Sequence, residues 1–318
     1  MESVLVTGGA GFIGSHLCEC LLREGIQTIC LDNFDDFYDP AIKRRNIAAL
    51  SASPLFERFE GDIRDLPLLR DLCGRYRFIG VVHLAARAGV RPSIQNPGLY
   101  EEVNVRGTLN TLEICREFQI QKLVFASSSS VYGENTRIPF SEDDPGLPIS
   151  PYGATKRAGE LLCYTYHRLY HFDVACLRFF TAFGPRQRPE MAIHKFTRLI
   201  DQGKAVPMYG DGSSKRDYTY IDDIIDGLFK ALQKNRGYEI YNLGESRTTR
   251  LIDLIELIRK ALGKKATIQQ LPDQPGDVPV TCANIAKARK ELGYNPRFDI
   301  EEGIHRFVRW YRNPESDL

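Results

Sequence analysis

No stretch of this 318-residue chain is both long and uncharged enough to span a bilayer. No apolar leader precedes the first strand-like run, so a cytoplasmic location is expected. An excess of one charge is missing too: 42 basic residues stand against 41 acidic ones, a net of +1. That balance gives no electrostatic basis for a nucleic-acid partner or an anionic membrane. The eight cysteines form no paired CxxC clusters and mostly sit inside apolar runs, which predicts buried thiols rather than disulfides or zinc. The six histidines show no metal-ligand spacing, and no metal is expected. Internal repeats, linkers and low-complexity segments are absent as well, and a chain of this length has room for a large core divided into two lobes.

What is present begins with VLVTGGAGFIGSHL (4–17), an apolar run that breaks into glycines and resumes with helical spacing. This reads as strand, tight turn and helix, with Gly8 and Gly11 letting the backbone turn toward a pyrophosphate and Gly14 letting the helix pack closely on the strand. The next apolar run, QTICL (27–31), ends at Asp32, where a carboxylate accepts from an adenosine ribose and repels a 2′-phosphate. NAD is therefore expected over NADP. Further β-rich runs at 55–60, 81–84, 122–127 and 173–179 alternate with helical patterning at 66–75, 100–119 and 152–170. Strict alternation predicts an α/β fold: a Rossmann-type, doubly wound parallel sheet covered on both faces. Asp62, Ala85, Ala86 and Ser127 to Ser130 all follow strands, which puts them on the carboxyl edge where such sheets bind ligands. Past residue 180 prolines and glycines gather, so 1–180 is read as the NAD-binding domain and 181–318 as a smaller C-terminal α/β substrate lobe, with the return of 215–235 to the first sheet left open.

Within SPYGATKRAGE (150–160), Tyr152 and Lys156 stand four residues apart and share a helix face. A phenol with a pKa of about 10 must shift by ~3 units, or ~4 kcal/mol, to act as a base near neutrality. A cation at ~4 Å in an effective dielectric of ~20 contributes ~4 kcal/mol, the required size. A surface tyrosine beside a surface lysine has the same spacing, so this pair alone leaves both readings open.

Nine landmarks in order carry a resemblance over almost the whole chain: TGGAGFIG (7–14), GDIRD (61–65), HLAA (83–86), NVRGTLN (104–110), FASSSSVYG (125–133), YGATK (152–156), RFFTAFGPRQRP (178–189), GDGSSKRDYTYIDD (210–223) and QPGDVPVTCANIAKA (274–288). The chain resembles the extended short-chain dehydrogenases/reductases of the nucleotide-sugar epimerase and dehydratase group. The resemblance implies a tightly held NAD contacted by Gly8, Gly11, Phe12, Ile13, Gly14, Asp32, Asn33, Asp62, Ile63, Leu84, Ala85, Ala86, Tyr152 and Lys156. It implies that Tyr152 takes the proton from the sugar 4-hydroxyl as the C4 hydride moves to NAD, and that Lys156 lowers the tyrosine pKa and holds the nicotinamide ribose.

The loop after the fifth strand narrows the chemistry. Dehydratases of this group carry Thr-Asp-Glu before Val-Tyr-Gly, and decarboxylases keep a glutamate at the last of those places; here the three are Ser128, Ser129 and Ser130. Without a carboxylate no group is offered for acid–base work at C5, whereas oxidation at C4, rotation of the 4-keto sugar and hydride return remain possible. Ser128 would donate or relay a proton at O4, while Ser127 reads equally as a strand-end cap. DNFDDFYDPAIKRRN (32–46), ARAGVRPS (86–93) and RFFTAFGPRQRPEMA (178–192) resemble UDP-glucuronate 4-epimerases more than UDP-glucose ones. Ser129, Ser130 and Thr181 would then hydrogen-bond the uronate without a full charge. Arg188 and Arg216 are expected as a diphosphate clamp, Arg91 as a sugar contact or a solvated charge, and Asp277 as a ribose or backbone acceptor or a simple turn residue. His83, Tyr132 and the FVRWY run (307–311) read as core. The expected partner is a UDP-sugar, with UDP-glucose epimerisation, UDP-glucuronate decarboxylation and a non-catalytic NAD-binding scaffold as alternatives. Related enzymes pair as homodimers through the helices read at 100–119 and 152–170, and Leu109, Leu112, Leu161 and Leu162 suit either that contact or the core.

Overall fold

In β-strands that are buried on both faces, successive side chains enter opposite cores. The first strand does this: Val4 and Val6 join one hydrophobic cluster and Leu5 the other. The structure, a computed structural model, describes residues 2–134, 137–272 and 278–314. The strands of its main sheet are Glu2–Thr7 (β1), Gln27–Asp32 (β2), Phe56–Glu60 (β3), Arg77–His83 (β4), Lys122–Ser128 (β5) and Asp173–Phe179 (β6), joined later by a seventh. After them come Thr181–Phe183 (β7), Val206–Tyr209 (β8), Lys215–Arg216 (β9) and Tyr218–Tyr220 (β10). The chain then runs through a helix, Ile221–Lys234, into Tyr238–Leu243 (β11), and continues with Thr249–Arg250 (β12) and Ile268–Leu271 (β13).

The main sheet runs in the order β11-β6-β5-β4-β1-β2-β3, and every pair in it is parallel. The strand runs read from periodicity are all found in it, and β11 is added from beyond residue 180. The Ile221–Lys234 helix that precedes β11 packs on the Phe12–Arg23 helix, covering one face of the sheet. Helices Leu66–Arg75, Gly107–Glu117 and Pro151–Tyr170 cover the other. Three two-stranded pieces, β7 with β10, β8 with β13 and β9 with β12, lie outside the main sheet. Strand order reverses beside β1, which has β2 on one side and β4 on the other, and such a switch point leaves a crevice above the sheet.

Of the apolar positions weighed for a dimer contact, Leu112 is wholly buried in the core and is withdrawn from that contact. Leu109 and Leu162 are half-buried, and Leu161 is 54% exposed. Leu161, Tyr164 and Leu169 together put large apolar side chains on the outer face of the Pro151–Tyr170 helix. The FVRWY run splits in the same helical manner: Phe307 and Val308 are buried while Arg309 is exposed.

Candidate active site

The glycine turn after β1 is built as a cradle. Gly8 has φ +70, in the left-handed region, and a Cβ there would lie 2.7 Å from the Ala85 nitrogen. A Cβ on Gly14 would run into the Gly8 carbonyl oxygen and come within 2.7 Å of the Gly9 Cα, so helix and turn touch backbone to backbone. Gly11 precedes the Phe12–Arg23 helix at φ −71, so its part is close approach rather than a left-handed turn. No side chain caps that helix and its first turn has no acid, leaving its N–H groups directed at whatever anion lies on the turn.

Asp32 ends β2 inside the same cleft, where its two oxygens accept from the Ala10 N–H at 3.1 Å and the Phe34 N–H at 2.9 Å. Burial pushes its pKa up, and Lys43, with Nζ 3.8 Å away, pulls it back. Lys43 is a cleft residue that sequence reading passed over. It is buried because the Pro40–Asn46 helix, N-capped by Asp39, turns it inward, and nothing in the local spacing signals that direction. Asn33 donates to Asp62 at 3.0 Å, and hydrogen bonds from Arg64 hold the Asp62 carboxyl down at about 2. Phe12, Ile13, Asn33, Asp62, Ile63, Leu84, Ala85 and Ala86 all line the cleft with the glycines.

At the other end stand Ser128, Ser129, Ser130, Tyr152, Lys156, Thr181 and Arg188, brought together from three separate segments. Burial raises the Tyr152 phenol above its ordinary value, opposed by its hydrogen bond with Ser128 and by the Arg188 charge. The Lys156 ammonium donates to the Ala126 carbonyl at 2.7 Å and lies over the Phe125 ring, and Ser128 and Arg188 act to pull the phenol down. Burial lowers Lys156 itself to about 8, with Cys163 and Glu160 opposing. Ser127 resolves to a structural role: its hydroxyl donates to Glu160 at 2.6 Å, and Glu160 is held by Arg178 Nε and Nη2, each at 2.9 Å. His83 bonds Thr7 at 2.8 Å and Thr108 at 3.1 Å, and burial drops its pKa to about 3, so it is a neutral core residue. Tyr132 is likewise buried, donating to Asn242 at 2.7 Å.

Arg91 and Arg216 are not among the residues that line the cleft. Arg91 lies over the Tyr209 ring at 4.8 Å, and Arg216 spends its guanidinium on the carbonyls of Lys215 and Pro279. Asp277 falls outside the described residues. Among the described residues the carboxylates lining the cleft are Asp32, Asp35 and Asp62, all on or after β2 and β3, and the loop after β5 supplies none. No His/Cys/Asp/Glu group able to hold a metal occurs among the described residues, nor a helix long and apolar enough to cross a membrane.

Comparison with known proteins places this geometry. A family model described as GDP-mannose 4,6 dehydratase matches residues 5–307. UDP-glucuronate 4-epimerase of Thermodesulfobacterium geofontis is 44% identical, covering 98% of this chain and 96% of its own length. UDP-glucuronate 4-epimerase 2 of Arabidopsis thaliana is 45% identical, covering 97% of this chain and 75% of its own. The UDP-glucuronic acid 4-epimerase of Bacillus cereus, solved with UDP-glucuronic acid and NAD, superposes with a TM-score of 0.92 at 37% identity, covering 99% of this chain and 100% of that one. The UDP-glucose 4-epimerase of Thermotoga maritima, solved with UDP-glucose, gives 0.92 at 31% identity, covering 99% of each. With its glycine cradle, its Tyr152 in the cleft and a match running nearly end to end, this chain belongs to the GDP-mannose 4,6 dehydratase family of nucleotide-sugar enzymes.

Proposed function

We propose that this protein is an NAD-dependent isomerase that interconverts UDP-glucuronate and UDP-galacturonate at C4. The observation that carries the reading is the composition of the cleft around Tyr152: three serines at the end of β5, Thr181 and Arg188. A dehydratase needs acid and base groups at C5 and C6, and the loop after β5 offers hydroxyls in their place. The glycine cradle, the uncapped helix start and the Asp32 carboxylate fit a dinucleotide. NAD held there would supply the hydride acceptor and, once reduced, the hydride donor for chemistry at C4.

The chain's own residues divide the rest of the work. Tyr152 takes the 4-hydroxyl proton and gives it back, Ser128 relays it, and Lys156 holds the nicotinamide ribose. Ser129, Ser130 and Thr181 hydrogen-bond the sugar carboxylate without ion pairing, which leaves a keto intermediate free to rotate. Arg188 meets the diphosphate or the sugar beside it. The outer face carrying Leu161, Tyr164 and Leu169 pairs with its twin in a homodimer.

Incubation of the protein with UDP-glucuronate and NAD is expected to give a product of unchanged mass with the galacto configuration at C4, read by proton NMR. Loss of carbon dioxide would make it a decarboxylase instead. In the same assay Thr181→Ala is expected to lower kcat/KM for the uronate about tenfold, the effect of one lost hydrogen bond to a charged group. Full turnover by that variant would remove Thr181 from the carboxylate site.

Lys156 gives this reaction a pH signature. The ammonium is present below about 8 and is lost as the pH rises through that value. The kcat/KM profile is therefore expected to fall on the alkaline side with a midpoint near 8, and Lys156→Met to lack that limb at a rate reduced throughout. A wild-type profile still rising at pH 9.5 would show that the Lys156 charge plays no part.

A further inference from the structure

Because β2 and β4 flank β1, the loops that follow them stand on either side of the glycine turn. Two side chains from those loops meet: Arg87 Nη1 lies 2.9 Å from Asp35 Oδ1, with the two side chains 16% and 29% exposed. The same Asp35 oxygen accepts from the Phe37 N–H at 2.8 Å. The Phe37 ring is approached by the Arg87 guanidinium at 5.3 Å and by that of Arg188, from the second lobe, at 5.7 Å. All four residues line the cleft.

Arg87 is also anchored from behind. Asn104 accepts from its N–H at 2.8 Å and donates to its carbonyl at 3.0 Å, and reaches Thr155, on the helix that carries Tyr152, at 3.0 Å. Its Nε is enclosed and meets no acceptor among the described residues. We propose that the Asp35–Arg87 ion pair is a strap across the glycine turn, closed over the dinucleotide and parting only for its entry and release. The inference rests on the NAD reading above and adds a retention device to it. An epimerase that takes a hydride from its substrate and must return it is served by a cofactor that cannot leave between the two transfers. An exposed ion pair would be screened into insignificance, but this one is mostly covered by Phe37 and the loops.

The test loads the full chain with NADH, chases with excess NAD, and follows release by the fluorescence of the reduced dinucleotide. Asp35→Asn and Arg87→Met are each expected to speed release about tenfold, the equivalent of ~1.4 kcal/mol. The double variant should be no faster than the faster single one, as for two halves of one contact. The charge-swapped pair, Asp35→Arg with Arg87→Asp, should recover slow release, a result that lost packing would not give. Release unchanged in both single variants, with NADH still bound, overturns the strap and leaves the cofactor reading standing. Faster release in Arg87→Met alone also overturns it, making Arg87 a phosphate ligand only. Failure of the unsubstituted chain to bind NADH overturns the strap and the cofactor reading together.

Discussion

Tyr152→Phe is expected to lower kcat for 4-epimerisation roughly 10³-fold, within the range that a positioned acid–base group contributes. KM for the UDP-sugar should change little, because the variant keeps the ring that packs edge-on against Tyr100 and removes only the hydroxyl. Burial alone raises the hydroxyl's pKa and would make it a poor base, while Ser128 and the Arg188 charge work in the opposite direction. Ser128→Ala should therefore reduce the rate as well, though by less, since the phenol keeps the Arg188 charge. Single-turnover reduction of enzyme-bound NAD separates the step from binding. Undiminished turnover by Tyr152→Phe would remove the phenol from the chemistry and return the choice to a scaffold that binds NAD without using it.

The second large effect concerns stability. Arg178 and Glu160 form an ion pair whose side chains are 1% and 0% exposed, with Ser127 and Arg157 as further donors to Glu160. Burial by itself would push the Glu160 carboxyl up, but its hydrogen bonds with Arg178, Ser127 and Arg157 bring it below its ordinary value. Removing one partner strands the other as a buried charge, which costs roughly 3–5 kcal/mol. Glu160→Gln is expected to lose that much of a total of the order of 5–15 kcal/mol, read as a drop in the urea midpoint. Replacing both with methionine should restore much of the loss, since neither charge is then left alone. Because the folded carboxyl titrates below its unfolded value, its contribution is present above the unfolded pKa and disappears as the pH falls through the folded one. The unsubstituted protein should accordingly lose stability on acidification, and Glu160→Gln should lose less over the same range. A midpoint unchanged by Glu160→Gln would mean that Arg178 finds another acceptor without cost.

Both predictions begin from residues whose types were readable in the chain but whose partners were not. Tyr152 stood out by its spacing from Lys156, yet the lysine donates to Ala126. The groups acting on the phenol come from β5 and from the loop after β7. Ser127 offered two readings, and the choice was made by Glu160, a residue on another element. Leu112 had the spacing of a contact stripe and proved to face the core, because two faces of one amphipathic helix cannot be told apart until its neighbours are placed.

By itself the sequence determined the strands of the parallel sheet up to residue 180, the glycine turn and the carboxyl edge on which the motifs lie. These are consequences of local periodicity and of backbone sterics at particular glycines, which act over a few residues and are written out contiguously. Only the tertiary structure decided that β11 returns to the edge of the main sheet, that Lys43 turns inward to Asp32, that Arg91 meets Tyr209 and Arg216 the Lys215 carbonyl, and that Asp35 meets Arg87. Each of those depends on how segments remote in sequence pack against one another, and a charged side chain carries no periodic signal of which distant partner it will find.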